Sequence, residues 1–151
     1  MSAWLFLHLL GVVLWLGGGS ASMVLAISSK SLDRGTLGTV VRLQWAIVRA
    51  LVFPGALLTV ITGLFLTVRL MQGSSMGNGW LVTMQGVGLL GALMVLAVLV
   101  PTAARLARLD PMGAHAAYFD RLRTRQRIVG SISGLLGLVA LLAGAAYRYG
   151  G

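Results

Sequence analysis

AWLFLHLLGVVLWLGGGSASMVLAI, residues 3–27, runs for twenty-five positions without a lysine, arginine, aspartate or glutamate. About 20 apolar residues in a helix cross the roughly 30 Å hydrocarbon core of a bilayer, so this stretch is long enough to span one. Three more apolar blocks of similar length follow at about 45–68, 80–100 and 128–147. Barrel strands would be half as long and would alternate apolar with polar residues, which leaves helices as the spanning form. The expected fold is an all-α integral membrane four-helix bundle, a single transmembrane domain with connecting loops at 28–44 and 101–127. The first block has neither a basic leader nor an early cleavage site, so it reads as a retained helix and not a removed signal peptide.

Composition agrees. Of 151 residues, 58% are hydrophobic and 10% charged, whereas soluble domains average about 45–50% and about 25%. A soluble enzyme and a free disordered segment are both excluded. There is no cysteine, hence no disulfide and no thiolate ligand or nucleophile. The acids are Asp33, Asp110 and Asp120 only, which argues against paired-carboxylate catalysis. None of them, and no lysine, falls in a span, which argues against a proton-relay transporter.

The basic residues set an expected orientation. Lys30, Arg34, Arg42 and Arg49 belong to the first loop and its flanks, and Arg105, Arg108, Arg121, Arg123, Arg125 and Arg127 to the third. The second loop has Arg69 at its edge and the tail has Arg148. Basic residues near helix ends favour the cytoplasm, so both termini are expected outside, in the periplasm of a bacterial inner membrane. Trp4 and Trp80 then lie at the outer interface and Trp45 at the inner one, as an aromatic belt. The net charge of +9 flanks membrane helices, where anionic lipid headgroups rather than nucleic acid are the expected partner.

Local signals add detail. Asp110-Pro111 reads as a helix start, Asp as N-cap and Pro in the first turn, leading a short helix through Tyr118 and Phe119 towards the fourth span. Segment 72–79 is rich in Gly, Ser and Asn, a tight outer turn. No internal repeat of useful length is expected. Pro54 should kink the second helix by displacing the carbonyl of Ala50, with Thr59 and Thr62 bonding back to nearby carbonyls to ease the defect. Gly63 suits a close crossing. Gly130 and Gly134, with Gly137 beyond, and Gly88, Gly91 and Ala92 mark close packing within one bundle or, alternatively, a dimer interface. Arg49 should snorkel to the headgroups.

The first helix carries the candidate site. His8, Gly11, Trp15, Gly18 and Ser22 share one face at 100° per residue, and that face should point inward because an imidazole against lipid is costly. His8 sits roughly 7–8 Å below the outer end at about 1.5 Å per residue, near the depth of Met84, with Met71 and Met76 at the same end. One histidine with several thioethers can ligate Cu(I), or supply axial ligands to a haem b iron. Equally, methionine fills gaps, and His8 can simply bond a carbonyl or water. Met23, Met94 and Met112 form no pattern, and His115 lies in a basic loop on the other side.

LHLLGVVLWLGG (7–18), with His8, Gly11, Trp15, Gly17 and Gly18, resembles the opening helix of bacterial copper-resistance protein D-like membrane domains. FPGALLTVITGLFLTV (53–68), Trp80, VPTAARLARL (100–109) and the arginine run before the last helix resemble a related family of small four-helix bacterial integral membrane proteins of unknown function. The resemblance covers most of the chain and implies the topology above. His8 and Trp15 also match the first helix of the four-helix membrane protoporphyrinogen oxidase, a haem enzyme. This chain lacks that family's Arg-Leu pair closing the first helix and its span lysine. Three readings follow: a non-enzymatic inner-membrane protein binding haem b or copper near its outer face, an oxidase of porphyrinogens, and an accessory subunit of a respiratory or photosynthetic complex. A homodimer would bring two copies of His8 together.

Overall fold

In the computed structural model, residues 3–71 and 79–149 are described, with only the backbone at 70 and 71. Helix α1 spans Ala3–Ser28, α2 Arg34–Ile47, α3 Phe53–Met71, α4 Gly79–Met94, α5 Val100–Leu106 and α6 Ala116–Tyr149. A π-helical turn at Val48–Val52 joins α2 to α3, and another at Val95–Leu99 joins α4 to α5. The result is four rods, each long and apolar enough to cross a membrane. All elements among the described residues are helical. The expected turn at 72–79 and Met76 lie outside the described residues, apart from Gly79, which opens α4.

The rods outrun the apolar blocks. The second begins at Arg34, not near residue 45, and the fourth at Ala116, not near 128. Much of both basic loops is therefore helix. Asp33 makes this possible at one start, where its carboxylate accepts from the Thr36 N–H at 2.9 Å and the Thr36 hydroxyl at 2.7 Å, satisfying a donor that the first turn leaves free. Asp110 does something else. It accepts from the Met112 N–H at 2.9 Å and closes a turn, and α6 starts later, after a 3₁₀ turn at Gly113–His115. Gly113, at φ +80°, supplies the left-handed residue of that connection.

Neighbouring rods run antiparallel. Gly11 meets Thr59 while Gly18 meets Leu51 and Val52; Gly88 meets Ala140 while Gly91 meets Leu136. Trp15 occupies the centre, in a buried cluster with Val48, Val52, Ala56, Ala92, Val95, Leu99 and Ala103. A second cluster of Leu37, Val41, Leu106, Phe119 and Leu122 closes the end that carries most of the arginines, here called the basic end. The opposite end carries His8. Side chains such as Val13, Leu64 and Leu142 are exposed around the bundle, as a lipid-facing surface requires.

The two π turns are a pair. Phe53 N–H bonds to the Val48 carbonyl, and Val100 N–H to the Val95 carbonyl, one residue further back than in an α-helix. A proline follows each, Pro54 and Pro101. Proline has no N–H and its ring crowds the carbonyl four residues back; the wider turn gives that ring room. The defect expected at Pro54 thus takes the form of a π turn. Thr59 and Thr62 donate to Gly55 and Leu58 carbonyls, not to that of Ala50. Aligned on the prolines, residues 48–56 and 95–103 share Val, Ala, Pro and Ala at the same spacing. The first Val and last Ala of each are buried in the central cluster. This short repeat is invisible as hydropathy and becomes evident only when both copies meet around Trp15.

Candidate functional site

Gly11 and Gly55 create the His8 site. A Cβ at Gly55 would lie 2.5 Å from the Trp15 nitrogen and 2.8 Å from the Gly11 carbonyl oxygen, and one at Gly11 2.8 Å from the Thr59 nitrogen. Such distances require α1 and α3 to cross backbone against backbone, the small-residue packing of membrane helices. One turn from this crossing, the imidazole of His8 reaches α3. Its Nδ1 lies 3.1 Å from the Thr59 carbonyl oxygen and 3.1 Å from Thr62 Oγ1. The ring packs closely on Gly63, whose Cβ would sit 3.1 Å from His8 Cε1.

These contacts assign the tautomer. A carbonyl oxygen can only accept, and the Thr62 hydroxyl already donates to the Leu58 carbonyl at 2.6 Å. Nδ1 therefore carries the proton and shares it between two acceptors, which leaves the Nε2 lone pair of the neutral ring uncommitted. The inward face expected for His8 is thus realised, and Gly11, Trp15 and Gly18 are the buried residues of α1.

The polar contacts continue along α3. Thr67 donates to the Gly63 carbonyl at 2.8 Å, and Gln85 Nε2 on α4 donates to Thr67 Oγ1 at 2.9 Å. Beyond them Trp4 stacks on Phe65, with centroids 4.4 Å apart. The candidate thioethers have other neighbours. Met84 sulfur packs against Gly144 of α6, 2.9 Å from where a Cβ would be, while His8 is held by α3. The Met71 side chain and Met76 lie outside the described residues. His115 is exposed at the basic end. Among the described residues, no three His, Cys, Asp or Glu side chains cluster as a metal site.

A second region was not legible in advance. Between α1 and α6, towards the basic end, lies a cavity of about 650 Å³, within the roughly 300–1,000 Å³ of small-molecule sites. Trp15 stands at one part of its wall and Lys30, Arg123 and Arg127 at another. Two buried glutamines also line it. Gln44 donates to the Ser22 carbonyl at 3.0 Å, but the buried Oε1 of Gln126 has no partner among the described residues. Gly134, expected at a helix contact, faces this space, and a Cβ there meets nothing within 4 Å. Gly137, one turn on, does make the close contact, under Leu16. The sequence signal for the region was two uncharged amides at the margins of apolar blocks, placed where a bundle has to satisfy them.

Compared with protein-family models, characterised proteins and solved structures, the chain matches none.

Proposed function

We propose that this is a non-enzymatic multi-pass protein of the bacterial inner membrane that offers His8 Nε2 as a ligand to a metal centre, haem b iron or Cu(I), near its periplasmic face. The observation that carries this reading is the Nδ1–H shared by the Thr59 carbonyl and the Thr62 hydroxyl. Metal-binding histidines characteristically donate their other ring N–H to a carbonyl or carboxylate, which fixes the tautomer and raises the basicity of the ligating nitrogen. One histidine is one ligand. Met84 is turned to α6, so the remaining donors would come from His8 of a second copy. His8 does not line the cavity between α1 and α6; a porphyrin would take its space between two copies, whereas a copper ion needs no cavity.

Metal analysis and visible absorption of the detergent-purified protein test the reading together. A Soret band identifies haem, and a colourless protein with stoichiometric copper identifies Cu(I). The His8→Ala variant should lose either while still inserting. A wild-type protein with neither, or a variant that keeps full occupancy, removes the ligand role and leaves His8 as a packing residue. The proposed orientation rests on the basic residues at one end of the bundle. A periplasm-dependent reporter fused after Gly151 should be active and a cytoplasm-dependent one inactive; the reverse would place His8 on the cytoplasmic side.

A further inference from the structure

We propose that the cavity between α1 and α6 holds an anionic phospholipid from the surrounding leaflet, its phosphate among Lys30, Arg123 and Arg127 and one tail along Trp15. The proposal rests on the four membrane-spanning rods alone and is independent of what His8 holds.

Charge is the first argument. Three cations line one cavity, and each of the chain's three acids is engaged elsewhere: Asp33 with Thr36, Asp110 with the Met112 N–H and Asp120 with Arg34 at 3.0 Å. Arg123 spends one N–H on Ser29 Oγ at 3.4 Å, and no carboxylate is paired with any of the three among the described residues. Gathered cations at a membrane end attract lipid phosphate.

Gln126 adds an unpartnered acceptor. Gln126 is 7% exposed, lines the cavity, and has a buried Oε1 with no hydrogen-bond partner among the described residues. It stands on α6 between Arg123 and Arg127, next to the cations that would hold the phosphate and hence near the hydroxyls of a headgroup. A hydroxyl of phosphatidylglycerol supplies the missing donor beside the phosphate.

Shape is the third. Gly19 and Gly134 keep facing sides of the cavity open, since a Cβ at either meets nothing within 4 Å. Leu135 and Leu138 line the cavity and are also exposed on the bundle surface, so a tail can enter sideways from the bilayer and need not pass through water.

Native mass spectrometry of the full chain in detergent, titrated with phosphatidylglycerol, phosphatidylcholine or inorganic phosphate, tests this. One phosphatidylglycerol should be retained, at least about tenfold more tightly than phosphatidylcholine. Replacing Lys30, Arg123 and Arg127 by Gln should weaken retention roughly fivefold per charge removed, and Arg121→Gln with Arg125→Gln at the same end should weaken it far less. Gly134→Leu should abolish retention with the thermal unfolding midpoint unchanged; Gly19→Leu provides the same blockade if that variant does not fold. Equal retention of both lipids, or undiminished binding in both glycine variants, would overturn the proposal. So would displacement of the lipid by inorganic phosphate at comparable concentration, which would make this a free-phosphate site. A lipid-free dimer that Gly134→Leu dissociates would overturn it as well, because the groove would then belong to a second copy.

Discussion

Around His8, α1 and α3 lie backbone to backbone and the imidazole Nδ1, Thr59, Thr62, Thr67 and Gln85 find partners within the protein. Around Gln126, α1 and α6 stand apart over a cavity, and a buried amide oxygen has no partner among the described residues. The same ingredients, glycines and uncharged polar side chains, serve both regions. What differs is which face of each helix carries them. Gly11 and Gly55 face each other and draw their helices together, whereas Gly19 and Gly134 face space. In lipid there is little hydrophobic force to close such a gap, so a gap in a membrane bundle survives where one in a soluble core would collapse.

The sharpest way to break this contrast is to add one methyl group to each region. Gly55→Ala should cost about 3 kcal/mol or more, the upper range for overpacking, because the obstacle is backbone and cannot rotate away. Gly134→Ala should cost almost nothing. Reversible unfolding in mixed micelles measures both, and similar losses would show that the cavity is not there.

Removing polar groups comes next. Gln126→Leu should stabilise the lipid-free protein by about 1 kcal/mol, since an unsatisfied buried polar group costs roughly 1–3 kcal/mol. Gln44→Leu, whose amide is bonded to Ser22, should not. A loss of stability in Gln126→Leu would mean that Oε1 has a partner in solution.

Thr62→Val tests the tightly packed side by a smaller step. It deletes one of two acceptors for His8 and should cost about 0.6 kcal/mol, the average for polar contacts between membrane helices. Nitrogen NMR of the imidazole should still report the Nδ1–H tautomer, held by the Thr59 carbonyl. An Nε2–H tautomer in the wild-type protein would contradict the assignment.

The smallest effect belongs to Asp33, outside both regions. Its hydrogen bonds from the Thr36 side chain and N–H hold its carboxyl below the ordinary value. The folded state therefore favours the ionised form, so its capping contribution is present above the ordinary carboxylate range and fades as pH falls through the lowered folded value. Amide protection at the start of α2, measured relative to the intrinsic exchange rate at each pH, should fall over that acid range in the wild type. In Asp33→Asn the protection should lose this pH dependence, and an unchanged profile would assign it to another group.

How far the site was legible follows from the same contrast. The stripe of His8, Gly11, Trp15 and Gly18 was readable because helical periodicity alone puts those residues on one face, and burial of an imidazole leaves one direction for that face. Its partners, Thr59 and Thr62, were read only as backbone-bonding threonines. Which helix meets α1, and at what register, is not a property of either helix alone. Pro101 was placed just past a span because apolar length ended there, whereas the π turn at Val95–Leu99 carries the helix through it. Asp110-Pro111 has the composition of a helix start, but the left-handed Gly113 intervenes and moves the start to Ala116.

The sequence by itself determined four helices long and apolar enough to span a bilayer, a concentration of cations at one end and an inward-facing histidine, because bilayer thickness, the price of charge in hydrocarbon and a 3.6-residue period act locally along the chain. Only the tertiary structure decided that His8 shares its proton with α3, that two Val-Ala-Pro-Ala segments meet as paired π turns around Trp15, and that α1 and α6 part over Gln126. Those outcomes depend on how one helix's small and large residues register against another's. Glycine at a helix crossing and glycine at a cavity wall are the same letter until the opposing helix is in place.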